Sequence, residues 1–143
     1  MAELTLFDGL LYGWIALAAL IFAALFFVSA PYGRHARRGW GPLLPNWLGW
    51  LVMEAPAALL FALFFWIGPY NRTLAERLIF TLWEAHYIHR AFIYPFTLRG
   101  RGHSMPVSVV VMALFFNLAN AYFNGRCLFT LSGGYAPDWI ADP

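Results

Sequence analysis

The chain has 143 residues, of which 62% are hydrophobic, 20% aromatic and only 11% charged. A soluble domain carries about a quarter charged residues, and a globule this short has too much surface to hide so many large apolar side chains. The formal net charge of +2 is too small to point to nucleic acid, and a single cysteine, Cys127, excludes an intrachain disulfide or a thiolate zinc cluster.

Lipid is the natural solvent for such a chain. A membrane-crossing helix needs about 20 mostly apolar residues. The first candidate runs from Leu10 to Ala30 without a charge. The preceding Met1-Ala2-Glu3-Leu4 lacks the basic region of a cleaved signal peptide, so this run is expected to stay in the protein. The second candidate, Asn46 to Gly68, carries one charge, Glu54. The third, Thr73 to Phe96, is unusually polar and holds Glu76, Arg77, Glu84, His86, His89 and Arg90. The fourth runs from Pro106 to Leu131, with Arg126 near its end. Pro31, Pro42, Pro45, Pro69, Pro95 and Pro106 punctuate the ends of these segments. The expected fold is all-α, a polytopic membrane bundle with four transmembrane helices, and residues 1–143 are expected to form a single membrane domain.

Arg34, Arg37 and Arg38 fall in the first loop, and Arg99 and Arg101 in the third. In a four-span arrangement these loops share one side, and their charge predicts that 31–45 and 97–105 are cytoplasmic. The expected location is a bacterial inner membrane or the endoplasmic reticulum.

A carboxylate inside a span costs several kcal/mol unless it is paired or protonated. Glu54 lies roughly 12 Å into the second span at 1.5 Å per residue. Trp47, Trp50 and Glu54 share one helix face. Pro56 frees the Val52 carbonyl from its helical bond beside them. Burial there favours a protonated acid that donates hydrogen bonds; an interhelical strut paired with an arginine is the alternative. Trp83, Tyr87, Arg90 and Tyr94 form one stripe of the third span. Tyr87 sits about 18 Å deep and Arg90 about 13 Å, so Glu54 and Tyr87 are expected at similar depth. A phenol and a neutral carboxylic acid side by side form a donor pair for a carbonyl oxygen. A polar helix whose groups satisfy one another fits the spacing equally well.

Glu84, His86 and His89 invite a metal reading. Their spacing departs from the four-residue pair of a zinc-protease helix, and four histidines are too few for a membrane di-iron centre, so no metal is expected. In the fourth span Asn117, Asn120 and Asn124 recur at helical spacing. Amides in lipid must be satisfied internally, either along a ligand cavity or against a neighbouring helix.

The ordered motifs resemble the steroid 5α-reductases (3-oxo-5α-steroid 4-dehydrogenases). Tyr32-Gly33-Arg34 is similar to that family's Tyr-Gly-Arg/Lys motif. Leu44-Pro45, Trp50 and Glu54-Ala55-Pro56-Ala57 resemble its Leu-Pro, Trp and Gln-Glu-Leu-Pro-Ser elements. His86-Tyr87-Ile88-His89-Arg90, followed by Tyr94, resembles the most specific part, His-Tyr-Phe-His-Arg. Arg99-Gly100-Arg101, Asn120, Asn124-Gly125-Arg126 and Pro137-Asp138-Trp139 follow in the family's order.

The resemblance implies NADPH-dependent reduction of the Δ4 double bond of a 3-oxo-Δ4 steroid. It implies that Glu54 and Tyr87 bind the C3 ketone oxygen, so that C5 accepts hydride and C4 a proton. It places Trp50, Met53 and Phe116 along the steroid and Tyr32, Arg90, Tyr94, Arg101 and Asn120 at the cofactor. Met53 stands where steroid-acting members have Gln. Family members are longer, with about seven spans by the usual span length. The chain is therefore expected to be the N-terminal part of a longer protein and to act as a monomer in the bilayer. The competing expectations are a non-catalytic sterol- or lipid-binding bundle and an isoprenylcysteine carboxyl methyltransferase-like enzyme.

Overall fold

The structure is a computed structural model that describes residues 2–28, 40–97 and 104–141. The chain divides into two compact units, residues 1–39 and 40–143. The first unit contains α1, Ala2–Ala24. This helix begins ahead of the predicted Leu10 and takes in Glu3 and Asp8. Glu3 in its first turn suits the positive end of the helix dipole.

The second unit contains β1 (Leu43–Pro45), α2 (Asn46–Ile67), α3 (Leu74–Ile88) and α4 (Tyr94–Thr97), then β2 (Ser104–Pro106) and α5 (Val107–Arg126). A π-helical turn, His89–Ile93, joins α3 to α4, and a second one, Cys127–Leu131, extends α5. Within the described residues, three helical stretches are long and apolar enough to cross a membrane: Glu3–Ala24, Asn46–Ile67 and Val107–Leu131. The third predicted span, α3 through α4, is too polar to join them on composition.

Its packing is nevertheless that of a full partner to α2. Contacts run in antiparallel order: Phe65 with Phe80, Phe61 with Trp83, Glu54 with Arg90, Trp50 with Tyr94 and Trp47 with Phe96. Phe61 and Trp83 stack at 4.1 Å between ring centroids, and Phe65 and Phe80 at 4.0 Å. Helix α5 runs parallel to α2. A Cβ on Gly49 would meet Val110, Asn117 reaches Met53, and a Cβ on Gly125 would meet Phe64. The buried centre is Ala57, Ala58, Phe61, Phe64, Phe65, Tyr87, Ala121 and Phe129, with Trp50, Met53 and Val110 as a second cluster nearer the ribbon. Leu59, Leu63, Trp66, Leu82, Val111 and Phe115 are exposed. An apolar exterior of this kind suits lipid rather than water.

The two strands pair antiparallel, with Leu43 opposite Pro106 and Pro45 opposite Ser104. Ser108 Oγ donates to the Trp40 carbonyl at 2.6 Å and Val107 N–H to the Pro42 carbonyl at 2.9 Å. The segments before α2 and before α5 therefore meet at one end of the helices. At the other end Thr73 caps α3 in a capping box with Glu76. The second Glu76 oxygen accepts from Tyr135 N–H at 3.2 Å and ties the tail to α3.

The π turn has a local cause. Pro95 lacks the N–H that would bond to the Ala91 carbonyl, and its ring crowds that carbonyl. The backbone steps to a wider bond, Tyr94 N–H to the His89 carbonyl, and helical winding continues to Thr97. Pro56 likewise sits inside an unbroken α2.

Gly68 ends α2 where the backbone of Phe129 passes directly over it, and a Cβ would strike the Phe129 carbonyl oxygen. Gly68→Ala is expected to destabilise the unit by about 1–3 kcal/mol, as overpacking does. Thermal unfolding in detergent should show a lowered midpoint. Gly13→Ala in α1, with nothing within 4 Å of its Cβ, should leave it unchanged or slightly raised.

Candidate active site

Glu54 is 5% exposed and lies on α2 between the two core clusters. Its neighbours answer it from two helices. Arg90, in the π turn, donates to Oε1 through Nε at 3.0 Å and through a terminal nitrogen at 2.7 Å. Asn117 of α5 donates through Nδ2 to Oε2 at 3.2 Å. The Arg90 guanidinium also lies 4.7 Å from the Trp50 ring centroid, and Trp50 in turn meets Tyr94 edge to face at 5.0 Å. Cation and carboxylate are thus held by aromatic walls as well as by each other.

Both Glu54 oxygens accept in this arrangement, from a guanidinium and from an amide, which is the interhelical pairing with an arginine that the sequence offered as the alternative.

Tyr87, 8% exposed, lies on α3 level with this pair. Its hydroxyl donates to Asn117 Oδ1 at 3.5 Å and accepts from Asn120 Nδ2 at 3.0 Å. Asn120 in turn accepts from Asn124 Nδ2 at 2.9 Å. Glu54 and Tyr87 therefore come together as expected, but through Asn117, a residue whose amide the sequence offered only as a cavity or packing group. Trp83, one turn before Tyr87, sets the aromatic floor and donates Nε1–H to the Ala57 carbonyl at 3.4 Å.

The remaining sequence candidates divide. Met53 is 1% exposed and its carbonyl accepts from Asn117 Nδ2. Trp50 and Tyr94 form the wall beside Arg90. Arg90 and Asn120, which the resemblance assigned to the cofactor, stand inside the network around Glu54 and Tyr87. Phe116 is 53% exposed on α5 and is not drawn into the cluster, since a helix turns its inward neighbour Asn117 about 100° away. Tyr32 and Arg101 lie outside the described residues, as do Arg34, Arg37, Arg38 and Arg99. His86 and His89 are exposed, and Glu84 Oε1 is buried without a hydrogen-bond partner among the described residues. These three do not converge on a common point: no metal-holding group of three His, Cys, Asp or Glu exists among the described residues.

The Glu54–Tyr87 pairing of a carboxyl with a phenol, reached from three helices, can now be set beside known proteins. The chain is 37% identical over 122 residues to the steroid 5-alpha-reductase DET2 of Arabidopsis thaliana, covering 77% of this chain and 46% of that protein. It is 35% identical over 130 residues to the protein of the same name from Gossypium hirsutum, covering 87% and 50%. It is 33% identical over 145 residues to the human 3-oxo-5-alpha-steroid 4-dehydrogenase 1, covering 100% and 55%. The chain is thus similar in sequence to proteins named steroid 5-alpha-reductase and 3-oxo-5-alpha-steroid 4-dehydrogenase. It spans about half the length of these curated relatives. No family model matches it.

The Glu54–Arg90 pair is a buried carboxylate with a cation whose side chain is one-third exposed. Removing the cation alone leaves Glu54 uncompensated. Arg90→Met is expected to cost about 2–4 kcal/mol, below the full figure for a wholly buried pair. Adding Glu54→Gln should recover part of that loss, with a coupling of about 1–3 kcal/mol in a double-mutant cycle read by chemical unfolding. Strictly additive losses would show that the two side chains do not support each other.

Proposed function

We propose that the protein reduces the Δ4 double bond of a 3-oxo-Δ4 steroid, with Glu54 and Tyr87 at the C3 ketone. The observation that carries this reading is the Glu54–Asn117–Tyr87 network, which holds a carboxyl and a phenol hydroxyl together in an apolar, helix-lined site. The names of the relatives supply the reaction class.

Tyr87 acts as donor. Its O–H proton points along the long 3.5 Å bond to Asn117 Oδ1, and a ketone oxygen that takes this proton makes a shorter, stronger bond. Donation to the ketone draws electron density from C5 through the enone and stabilises the enolate as its charge develops. Glu54 adds a second donor when it carries a proton; ionised, it anchors Arg90 and Asn117. Protonation of C4 then completes the saturated bond. Trp50 and Met53 supply the apolar wall that excludes water from the ketone.

The cofactor of this reading is NADPH. Arg90 offers the fitting charge for an anionic dinucleotide, since its guanidinium is one-third exposed and flanked by Tyr94. Asn120, Tyr32 and Arg101 are the further candidates in this chain. NADPH, when bound, supplies the hydride that C5 accepts.

The segment α3 to α4 is the fourth membrane crossing of this reading. It runs the whole length of α2 in antiparallel order, so a bilayer that α2 crosses is crossed by its partner too. The Arg90–Glu54 ion pair and the hydrogen bonds of Tyr87 and Trp83 answer the polar side chains that it turns toward α2 and α5. The end of the helices at the β1–β2 ribbon, which follows the basic stretches 34–38 and 99–101 in sequence, is the cytoplasmic side of this reading.

The test is steroid turnover in membranes from cells expressing the gene in full, with NADPH and testosterone or progesterone. The 5α-dihydro product is expected from the wild type. Tyr87→Phe should lose about a hundredfold or more in kcat, as removal of a transition-state donor does, and Glu54→Gln, which removes both the carboxyl proton and the charge that anchors Arg90, should lose a comparable amount. Turnover that survives both substitutions would remove these residues from the chemistry. Well-folded wild type that reduces no 3-oxo-Δ4 steroid would contradict the reading itself.

A further inference from the structure

The hydrogen bonds around Glu54 share one direction. Asn124 Nδ2 donates to Asn120 Oδ1, Asn120 Nδ2 to the Tyr87 oxygen, the Tyr87 hydroxyl to Asn117 Oδ1, and Asn117 Nδ2 to Glu54 Oε2. Such a chain polarises itself, each bond strengthening the next. An amide can be turned either way, so something must fix its sense.

Asn117 Nδ2 faces two groups at once, the Met53 carbonyl and Glu54 Oε2. A backbone carbonyl can only accept, and Glu54, already receiving Arg90, accepts as well. The NH2 of Asn117 must therefore point to α2, which leaves its oxygen for Tyr87. The Tyr87 oxygen is occupied from the other side by Asn120 Nδ2. Its own proton then has one place to go, toward Asn117 and the Glu54 side of the cluster.

We propose that Asn117 is a positioning residue that fixes the direction of the Tyr87 hydroxyl proton, and so sets Tyr87 as the donor to the substrate ketone. The proposal rests on the reductase reading above. Asn117 is 6% exposed and acts through Tyr87, not on the reacting carbons. The Tyr87–Asn117 bond, at 3.5 Å, is among the longest in the network. A ketone oxygen displaces this bond with least loss while Asn120 keeps the phenol oxygen in place. The Met53 carbonyl is available as the reference acceptor because it belongs to α2 itself, next to the residue whose carboxylate the amide also meets.

Two variants of the full-length protein test this. Asn117→Leu removes both the donor and the acceptor at nearly constant volume. Asn117→Asp loses the donor that faces Met53 and Glu54 and, as a carboxylate, holds the Tyr87 proton more strongly than the amide oxygen does, so that the ketone displaces it less readily. Each is compared with wild type for fold, for kcat and KM with testosterone, and for the infrared stretch of the bound steroid's 13C-labelled C3 carbonyl. That stretch falls to lower frequency when the ketone receives a well-aligned hydrogen bond. For both folded variants the expected result is a roughly ten- to hundredfold lower kcat with KM within a few-fold of wild type, together with a smaller carbonyl shift. A packing role would lower the unfolding midpoint and leave the shift intact.

Wild-type kcat and carbonyl shift in either folded variant would overturn the proposal. If Asn117→Leu does not fold, the Asp variant decides by the same two readouts. If neither folds, the wild-type carbonyl decides: no shift relative to the steroid in apolar solvent overturns the proposal, and a lowered stretch supports it. Wild type that neither shifts the carbonyl nor reduces the steroid would sink the reductase reading as well.

Discussion

A carboxylate that leaves water for the interior of an apolar bundle has to be met by donors. Glu54 is met from two neighbouring helices, by Arg90 on the segment that follows α3 and by Asn117 on α5. That requirement ties three helices together at one depth. It explains why the most polar of the helical segments packs inward along α2, and why α5 turns an asparagine, not one of its phenylalanines, toward the centre. Aromatic contacts on either side, Phe61 stacked on Trp83 and Trp50 edge to face with Tyr94, keep water and lipid from replacing those donors.

The same arrangement gives the site its chemical character. Glu54 stands at one end of a directed chain of hydrogen bonds, and the Tyr87 hydroxyl proton is held by a long bond beside an apolar wall. On the proposed function, that proton and that wall suit a largely hydrophobic ligand with a carbonyl oxygen.

Much of this was legible in the sequence. Apolar length marked α2 and α5, and the stripe Trp83, Tyr87, Arg90 and Tyr94 does face α2. The meeting of Glu54 and Tyr87 followed from counting residues inward. Three features were not legible. The π turns leave hydrophobic periodicity intact, and only Pro95 hints at the first of them. The β1–β2 ribbon is three residues a side, too short to show alternation. Asn117 looked like its neighbours Asn120 and Asn124, because periodicity gives a face but not which amide meets a carboxylate. The partner of Glu54 was hidden for a related reason: burial was visible in the sequence, whereas which guanidinium meets the carboxyl depends on how α2 and the segment after α3 are set side by side.

On the proposed function, the substrate is held through its C3 oxygen by the Glu54–Tyr87 network. Binding and turnover of a 3-oxo-Δ4 steroid, compared with those of the same Δ4 steroid lacking the C3 ketone, test this on the wild-type protein. Reduction of the first is expected, with no detectable reduction of the second and binding of the second weaker by roughly tenfold or more, the worth of one well-placed hydrogen bond. Equal binding and equal turnover of the two would show that the network does not hold the ketone.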